Sequence, residues 1–270
     1  MKVSNAFPRI FFILSSFMLV LNISSTAQEI KVMTYNIYHG ELDYEPGKSN
    51  LKEIADIINQ YKPDFVALQE VDSMTNRPAT FNDSIPQNLV EELAGLTGMY
   101  GFFGKAIDYS NGGYGEGILS RFPTSATSVI LPSPKGGEKR ALISIVHTFP
   151  NGQKINFAGT HLCHQFAENR LAQTEAICNI LNASEIPVIM GGDFNFSPGS
   201  ESYKLIRTCF NDAAEMKGDP QNTIPSDNPR DRIDYIFVSK KHNWTIKEVK
   251  VIRSEASDHL PVLVTLELKE

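Results

Sequence analysis

The sequence predicts an α/β fold in which two packed β-sheets carry helices on their outer faces. Three observations lead there. Apolar runs of strand length recur along the chain, bounded by turn residues. Segments with helical spacing interrupt them at only a few points. Strands follow one another without an intervening helix across 100–161 and 232–268, which a doubly wound sheet of alternating βαβ units does not do. The 270 residues contain no internal repeat, low-complexity tract or linker, so one large domain accounts for the folded part.

Residues 1–27 read as a secretory signal. Lys2 and Arg9 give a positive start, Ile10 to Leu21 is largely apolar, and Ser25-Thr26-Ala27 is a small-residue cleavage site. The apolar run is short for a membrane span, although an uncleaved N-terminal anchor is the other reading. Cleavage near Ala27 gives a secreted or periplasmic protein whose domain fills 28–270. It also removes two of the 25 basic residues and none of the 31 acidic ones, so the formal charge moves from −6 to −8. That acidity argues against gripping nucleic acid through general Lys/Arg–phosphate contacts. It leaves room for a nuclease whose bound metal and local arginines reset the field at the site.

Along the domain, Glu29 to Ile37 alternates and reads as a strand with Asn36 near its end. Ser49 is placed to cap a helix whose Leu51, Ile54, Ala55, Ile57 and Ile58 keep helical spacing. Pro63-Asp64 ends it. Phe65 to Glu70 is a buried-type strand, Pro86 to Leu96 a helix, and Tyr100–Ala106 and Gly115–Arg121 are strands. After the turn-rich loop Leu131–Gly137, strands Arg140–Thr148 and Lys154–His161 bracket an Asn151-Gly152 hairpin turn. A helix covers Ala167–Leu181. The apolar run Ile186-Pro187-Val188-Ile189-Met190 then leads into Gly191-Gly192-Asp193-Phe194-Asn195. The two glycines permit a tight turn or a close approach to a ligand. Extended backbone would carry Asp193 and Asn195 on one face. A helix over Ser200–Arg207, an irregular stretch over Lys217–Arg230 and strands Arg232–Val238, Thr245–Ile252 and Pro261–Leu268 complete the chain. Cys163, Cys178 and Cys209 match no zinc spacing. They allow one disulfide at most, and three free core thiols is the favoured reading.

Polar residues recur where the apolar strands end: Asn36, Glu70, His161, Asp193 with Asn195, Asp234, and Asp258-His259. One such residue is an ordinary turn former. So many on one scaffold describe a site, because loops at strand ends are where sites are built. Their oxygen atoms suit a hard cation, which needs one or two carboxylates. A carboxylate beside a histidine fixes the tautomer of the ring. No Gly-x-Ser-x-Gly occurs, so nothing points to a serine nucleophile. His161-Leu162-Cys163-His164 is too cramped on one strand end for tetrahedral zinc.

Six segments resemble, in order, the motifs of the endonuclease/exonuclease/phosphatase superfamily, which includes deoxyribonuclease I, abasic-site endonucleases, neutral sphingomyelinases and inositol-phosphate phosphatases. They are Met33-Thr34-Tyr35-Asn36-Ile37, Leu68-Gln69-Glu70-Val71, Gly159-Thr160-His161-Leu162, Gly191-Gly192-Asp193-Phe194-Asn195, Arg232-Ile233-Asp234-Tyr235-Ile236 and Ser257-Asp258-His259. The resemblance spans about residues 30–269. It implies a four-layer α/β sandwich of two mixed sheets flanked by helices, and metal-dependent cleavage of phosphoester bonds by direct attack of water.

The resemblance also implies roles. Glu70, Asn36 and Asp258 would hold Mg²⁺, with Mn²⁺ as the alternative. Asp234 would orient His259, Asp193 would orient or deprotonate the water, Asn195 would bond the phosphoryl oxygens, and His161 would donate to the phosphate. Whether His259 or Asp193 takes the proton stays open. Arg140 matches an arginine near the scissile phosphate, with a surface ion pair as the other reading, and His39, three residues past Asn36, is placed either to line the substrate pocket or to sit solvated in its loop. Glu116 stands where many relatives carry asparagine, and either adds a ligand or tunes His161. The implied partner is a phosphate ester, a phosphodiester first, with nucleic acid, phospholipid headgroup and small organic phosphate all open. No obligate protein partner is evident, and a monomer is expected. The alternative is a binding protein that has lost catalysis on the same scaffold, against which the complete residue set speaks.

Overall fold

The computed structural model describes residues 1–3 and 28–269, so the leader read from residues 1–27 falls almost wholly outside the described residues. The chain runs β1 (Glu29–Asn36), α1 (Leu51–Tyr61), β2 (Phe65–Ser73), α2 (Asn76–Ala79), α3 (Leu89–Thr97), β3 (Tyr100–Tyr109) and β4 (Gly112–Ser120). Next come β5 (Ala126–Ile130), β6 (Ala141–Thr148), β7 (Lys154–His161), α4 (Ala167–Asn182), β8 (Val188–Asp193) and α5 (Glu201–Cys209). Last are β9 (Phe210–Asp212), α6 (Ala213–Lys217), β10 (Asp234–Ser239), β11 (Trp244–Val251) and β12 (Val262–Leu268). The strands form two six-stranded sheets, ordered β11-β12-β1-β2-β4-β3 and β5-β6-β7-β8-β10-β9.

Alternation along the strands sorts apolar side chains into three layers of core. Val32, Ala67, Ile143, Phe157, Ile189 and Ile236 meet between the sheets. Met33, Tyr35 and Leu68 turn the other way, onto Ile54 and Ile58 of α1 and Leu89 and Leu93 of α3. On the second sheet, Val188, Met190 and Phe237 face Ile177 and Leu181 of α4 and Ile206 of α5. Each fully buried side chain of this size contributes about 1.5–3 kcal/mol. The result is the expected four-layer sandwich, helix–sheet–sheet–helix.

Both sheets are mixed, and this positions the site. β1 and β2 run parallel, as do β7 and β8, so Asn36, Glu70, His161 and Asp193 all reach one rim. β10 and β12 run antiparallel to β8 and β1, so the start of β10 at Asp234 and the turn before β12 reach the same rim.

The Gly191-Gly192 pair makes no turn: β8 continues through both residues to Asp193. A Cβ at Gly191 would lie 2.9 Å from Thr34 Cβ and 3.2 Å from Ala67 Cβ, atoms of the facing sheet. The glycine therefore lets the two sheets approach directly beneath the site.

Other expectations also shift. The helix after Ser49 begins past Asn50, whose side chain does not cap it. Ser49 Oγ only accepts from Leu51 N at 3.3 Å. α3 starts at Leu89 rather than Pro86. β5 escaped notice because four of its five residues lie exposed at a sheet edge and carry no buried pattern. The three cysteines are not all free: Cys178 in α4 and Cys209 at the end of α5 form a disulfide with Cα atoms 5.9 Å apart, while Cys163 stays a buried thiol. Cysteines 31 residues apart in sequence become neighbours only because their helices both cover the same outer face of the second sheet.

Candidate active site

The rim gathers Asn36, Glu70, His161, Asp193, Asn195, Asp234, Asp258 and His259 into one hydrogen-bonded group. Asn36, fully buried, links its two halves. Its Nδ2 donates to Glu70 Oε1 at 3.2 Å and to Asp193 Oδ2 at 3.1 Å, and its Oδ1 accepts from Tyr38 N at 3.1 Å. Glu70 sits at an irregularity in the β2–β4 pairing with φ +58°, a left-handed conformation that costs an acidic residue on the order of 1 kcal/mol. That backbone turns the carboxylate into the rim. Burial opposes its ionisation, yet neighbouring His39, Asn36 and the charged His259 outweigh this and hold it below the ordinary carboxylate range.

On the second sheet, Asp193 Oδ1 accepts from Asn195 N at 3.0 Å. Asn195 has φ +49°, so the extended reading of Asp193–Asn195 does not hold. Both side chains nevertheless reach the site, because asparagine tolerates the left-handed turn. Asp193 Oδ2 lies 3.4 Å from His161 Nε2 and 3.8 Å from His259 Nε2. Burial raises the Asp193 carboxyl, and the Asp234 charge adds to this against the opposing pull of His259.

His259 Nδ1 bonds Asp234 Oδ2 at 2.9 Å. Thr223 Oγ1 donates to the same oxygen at 2.6 Å, and Asp234 Oδ1 is buried without a partner. Burial alone would discharge the ring, but the Asp234 and Asp193 carboxylates push His259 up to about 10. Ser257 fixes this turn by donating to Asn36 O at 2.7 Å.

His161 is held differently. Arg140 Nη1 reaches its Nδ1 at 3.1 Å. Arginine only donates, so Nδ1 carries no proton and Nε2–H faces the rim. Asn195 Nδ2 lies 2.9 Å from Nε2, so a bond between them needs the amide oxygen turned toward the ring. Burial first, and then Arg140, keep His161 well below the usual histidine range, hence neutral. Arg140 is buried and also bonds His164 Nδ1 at 3.0 Å. It stands behind His161 and is no surface ion pair. His164 and Cys163 are likewise engaged with protein atoms, which removes the zinc alternative. Glu116 is buried, with Oε2 unpartnered and Oε1 accepting from Ala141 N at 3.4 Å. Burial pushes it up to about 8 against the Arg140 charge. His39 faces Glu70 Oε2 at 3.7 Å and bonds Glu41 Oε2 at 3.0 Å.

Two sets of residues invite a cation. Ligand atoms of Asp193, Asp234 and His259 lie within 4.8 Å of one another. Asp234 already bonds His259 and Thr223, Asp193 stands 3.8 Å from His259 Nε2, and an imidazolium cannot ligate, so the set is an Asp–His pair beside a second carboxyl and not a cage. Glu70 and Asp258 offer carboxylate oxygens, the donors a hard cation prefers, while Asn36 turns its amide nitrogen to Glu70 and its oxygen to Tyr38 N. Burial, and then the Glu70 and Asp43 charges, raise Asp258, so a cation here relieves a like-charge cluster.

Sequence reading missed Thr223 and Asn50, and named Ser257 within a motif without giving it a role. Asn50 Nδ2 lies 2.9 Å from Ile37 O and 2.8 Å from both Glu41 O and Ala256 O, so its two protons are shared among three carbonyls and tie the β1 end to the turn before His259. Nothing in the sequence marks it, since the capping signal at that helix start falls on Ser49.

A buried Asp–His pair, a neutral histidine and a carboxylate cluster gathered at one rim define a class of phosphoester site. The profile of the Endonuclease/Exonuclease/phosphatase family matches residues 33–259, and the chain belongs to that family. It is 27% identical over 248 residues to the uncharacterized protein YbhP of Escherichia coli K12, covering 88% of this chain and 96% of that one. An endonuclease/exonuclease/phosphatase structure from Beutenbergia cavernae superposes with TM-score 0.72 at 23% identity, covering 89% of this chain and 72% of that one. A mannosyl-6-phosphatase from Bacteroides thetaiotaomicron superposes with TM-score 0.72 at 18% identity, covering 88% and 99%.

Proposed function

We propose that the protein is an exported, Mg²⁺-dependent phosphoesterase that hydrolyses its ester by direct attack of water. The observation that carries this is the continuous chain Glu70–Asn36–Asp193 meeting the His259–Asp234 pair at one rim. Glu70, Asp258 and Asn36 would hold Mg²⁺, or Mn²⁺, which when bound neutralises charge developing on the phosphoryl group. Asp193, buried between His161 and His259, takes the proton of the attacking water. His259, held by Asp234, presents Nε2–H to the phosphate. His161 and Asn195 donate to the phosphoryl oxygens as charge builds there. Arg140 keeps His161 in the donating tautomer. The leader and the Cys178–Cys209 disulfide together support export, since disulfides persist in oxidising compartments.

The test is turnover of the mature protein on plasmid DNA, RNA, sphingomyelin, phosphatidylinositol phosphates, a hexose 6-phosphate and bis-p-nitrophenyl phosphate, each with Mg²⁺, Mn²⁺ or EDTA. The hexose ester is included because one structural neighbour is named a mannosyl-6-phosphatase. Turnover that EDTA abolishes is expected. Turnover indifferent to EDTA, or none on any ester, overturns the reading.

A further inference from the structure

Beside the phosphate site lies a pocket of about 120 Å³ lined by Arg77, Ile107, Tyr109, Tyr114 and Glu138. A cavity of about 150 Å³ holds one six-membered ring, so this one accepts a single ring and not a chain of them. Arg77 is fixed there. Its Nε and Nη2 donate to the two oxygens of the fully buried Asp72 at 2.7 and 2.9 Å. Its guanidinium stacks on Tyr109 at 4.8 Å and on Tyr114 at 5.2 Å. Among the described residues Nη1 has no protein partner, and it remains for a ligand. Glu138 forms the wall shared with the phosphate site: its Oε1 lies 2.7 Å from the Arg140 nitrogen that donates to His161.

The chemistry of this pocket selects among alcohols. Arg77 is neutralised by Asp72, and Glu138 faces Arg140, so no surplus positive charge invites a second phosphate. The guanidinium takes the tyrosine faces turned toward it, so a nucleobase finds no open stacking surface there. What remains is a donor, a carboxylate acceptor and an aliphatic wall. A hydroxyl-bearing ring uses all three, accepting from Arg77, donating to Glu138 and resting its C–H face on Ile107. We propose that this pocket binds the alcohol part of the ester, a neutral polyol ring such as a sugar or cyclitol. The inference rests on the phosphoesterase reading above.

The test compares KM and kcat of the wild-type protein, Tyr109→Leu, and the double variant Asp72→Asn/Arg77→Gln. Removing Arg77 alone would strand a buried carboxylate and endanger folding. Tyr109 is exposed, and its variant keeps the Asp72–Arg77 pair. Substrates are a hexose 6-phosphate, phosphatidylinositol in vesicles, p-nitrophenyl phosphate and bis-p-nitrophenyl phosphate. For the polyol esters the double variant should raise KM about tenfold with kcat held, the scale of one lost hydrogen-bonding group, and Tyr109→Leu, which removes the ring under Arg77 but keeps the donor, about threefold. The aryl esters should move less than about twofold. Preference for the hexose ester identifies a free sugar phosphate, and preference for vesicles identifies a lipid headgroup. Equal changes on aryl and polyol esters, or none, overturn the subsite while the phosphoesterase reading stands. If no ester turns over, that reading fails, and titration of hexose 6-phosphate followed by NMR decides the subsite. Binding weakened in both variants supports it, and no binding overturns it.

Discussion

Two histidines face the same buried aspartate in opposite protonation states, and their partners explain why. Arg140 can only donate, so it leaves His161 neutral, while Asp234 can only accept and holds His259 charged. Replacing the charged one by a neutral amide that can still donate to the buried Asp234 should therefore cost chemistry and not structure. His259→Asn is expected to lower turnover by about 10²–10⁴-fold with an unchanged circular dichroism spectrum. Near-wild-type turnover would exclude His259 from the reaction. Glu116 gives a residue-scale prediction on stability. Its folded value, about 8, lies above its ordinary 4.5, so the native state binds the proton more tightly. This contribution is complete below pH 4.5, declines as pH rises toward 8 and is flat beyond. Melting temperature followed over that range should fall with pH in the wild-type protein and fall less in Glu116→Gln.

At the scale of elements, the rim depends on contacts that cross the sandwich. Asn50 sits between α1, the β1 end and the turn carrying Asp258 and His259, with three carbonyls on one amide. Asn50→Ala strands those buried acceptors and should cost about 2–4 kcal/mol in urea unfolding, from the penalty of about 1–3 kcal/mol per unpaired group. It should also reduce turnover, because the β1 end and the turn carrying Asp258 and His259 lose a tie. A cost below about 0.5 kcal/mol would show that water replaces the amide. Gly191 controls the spacing of the sheets. In Gly191→Val the new side chain meets Thr34 and Ala67, and overpacking should destabilise by about 1–3 kcal/mol or more. Unchanged stability would mean that the sheets separate freely at that point.

For the whole molecule, the carboxylate cluster links metal binding to folding. Saturating Mg²⁺ at 100 times its dissociation constant should stabilise the protein by about 2.7 kcal/mol, visible as a higher melting temperature that EDTA reverses and Glu70→Gln abolishes. No shift would detach the cluster from metal binding. The sequence by itself determined the four layers and the polar strand ends, because alternation and helical spacing report which face of each element is buried, and the ordered motifs from Asn36 to His259 report the chemistry. Only the tertiary structure decided how those residues meet. The Cys178–Cys209 bond, the left-handed backbone at Glu70 and Asn195, the Arg140–His161 contact, the Asn50 ties and the Arg77 pocket all join segments distant in sequence or depend on backbone angles that residue type leaves free. Periodicity records the burial of a face, whereas a hydrogen bond between two faces exists only once the sheets are stacked.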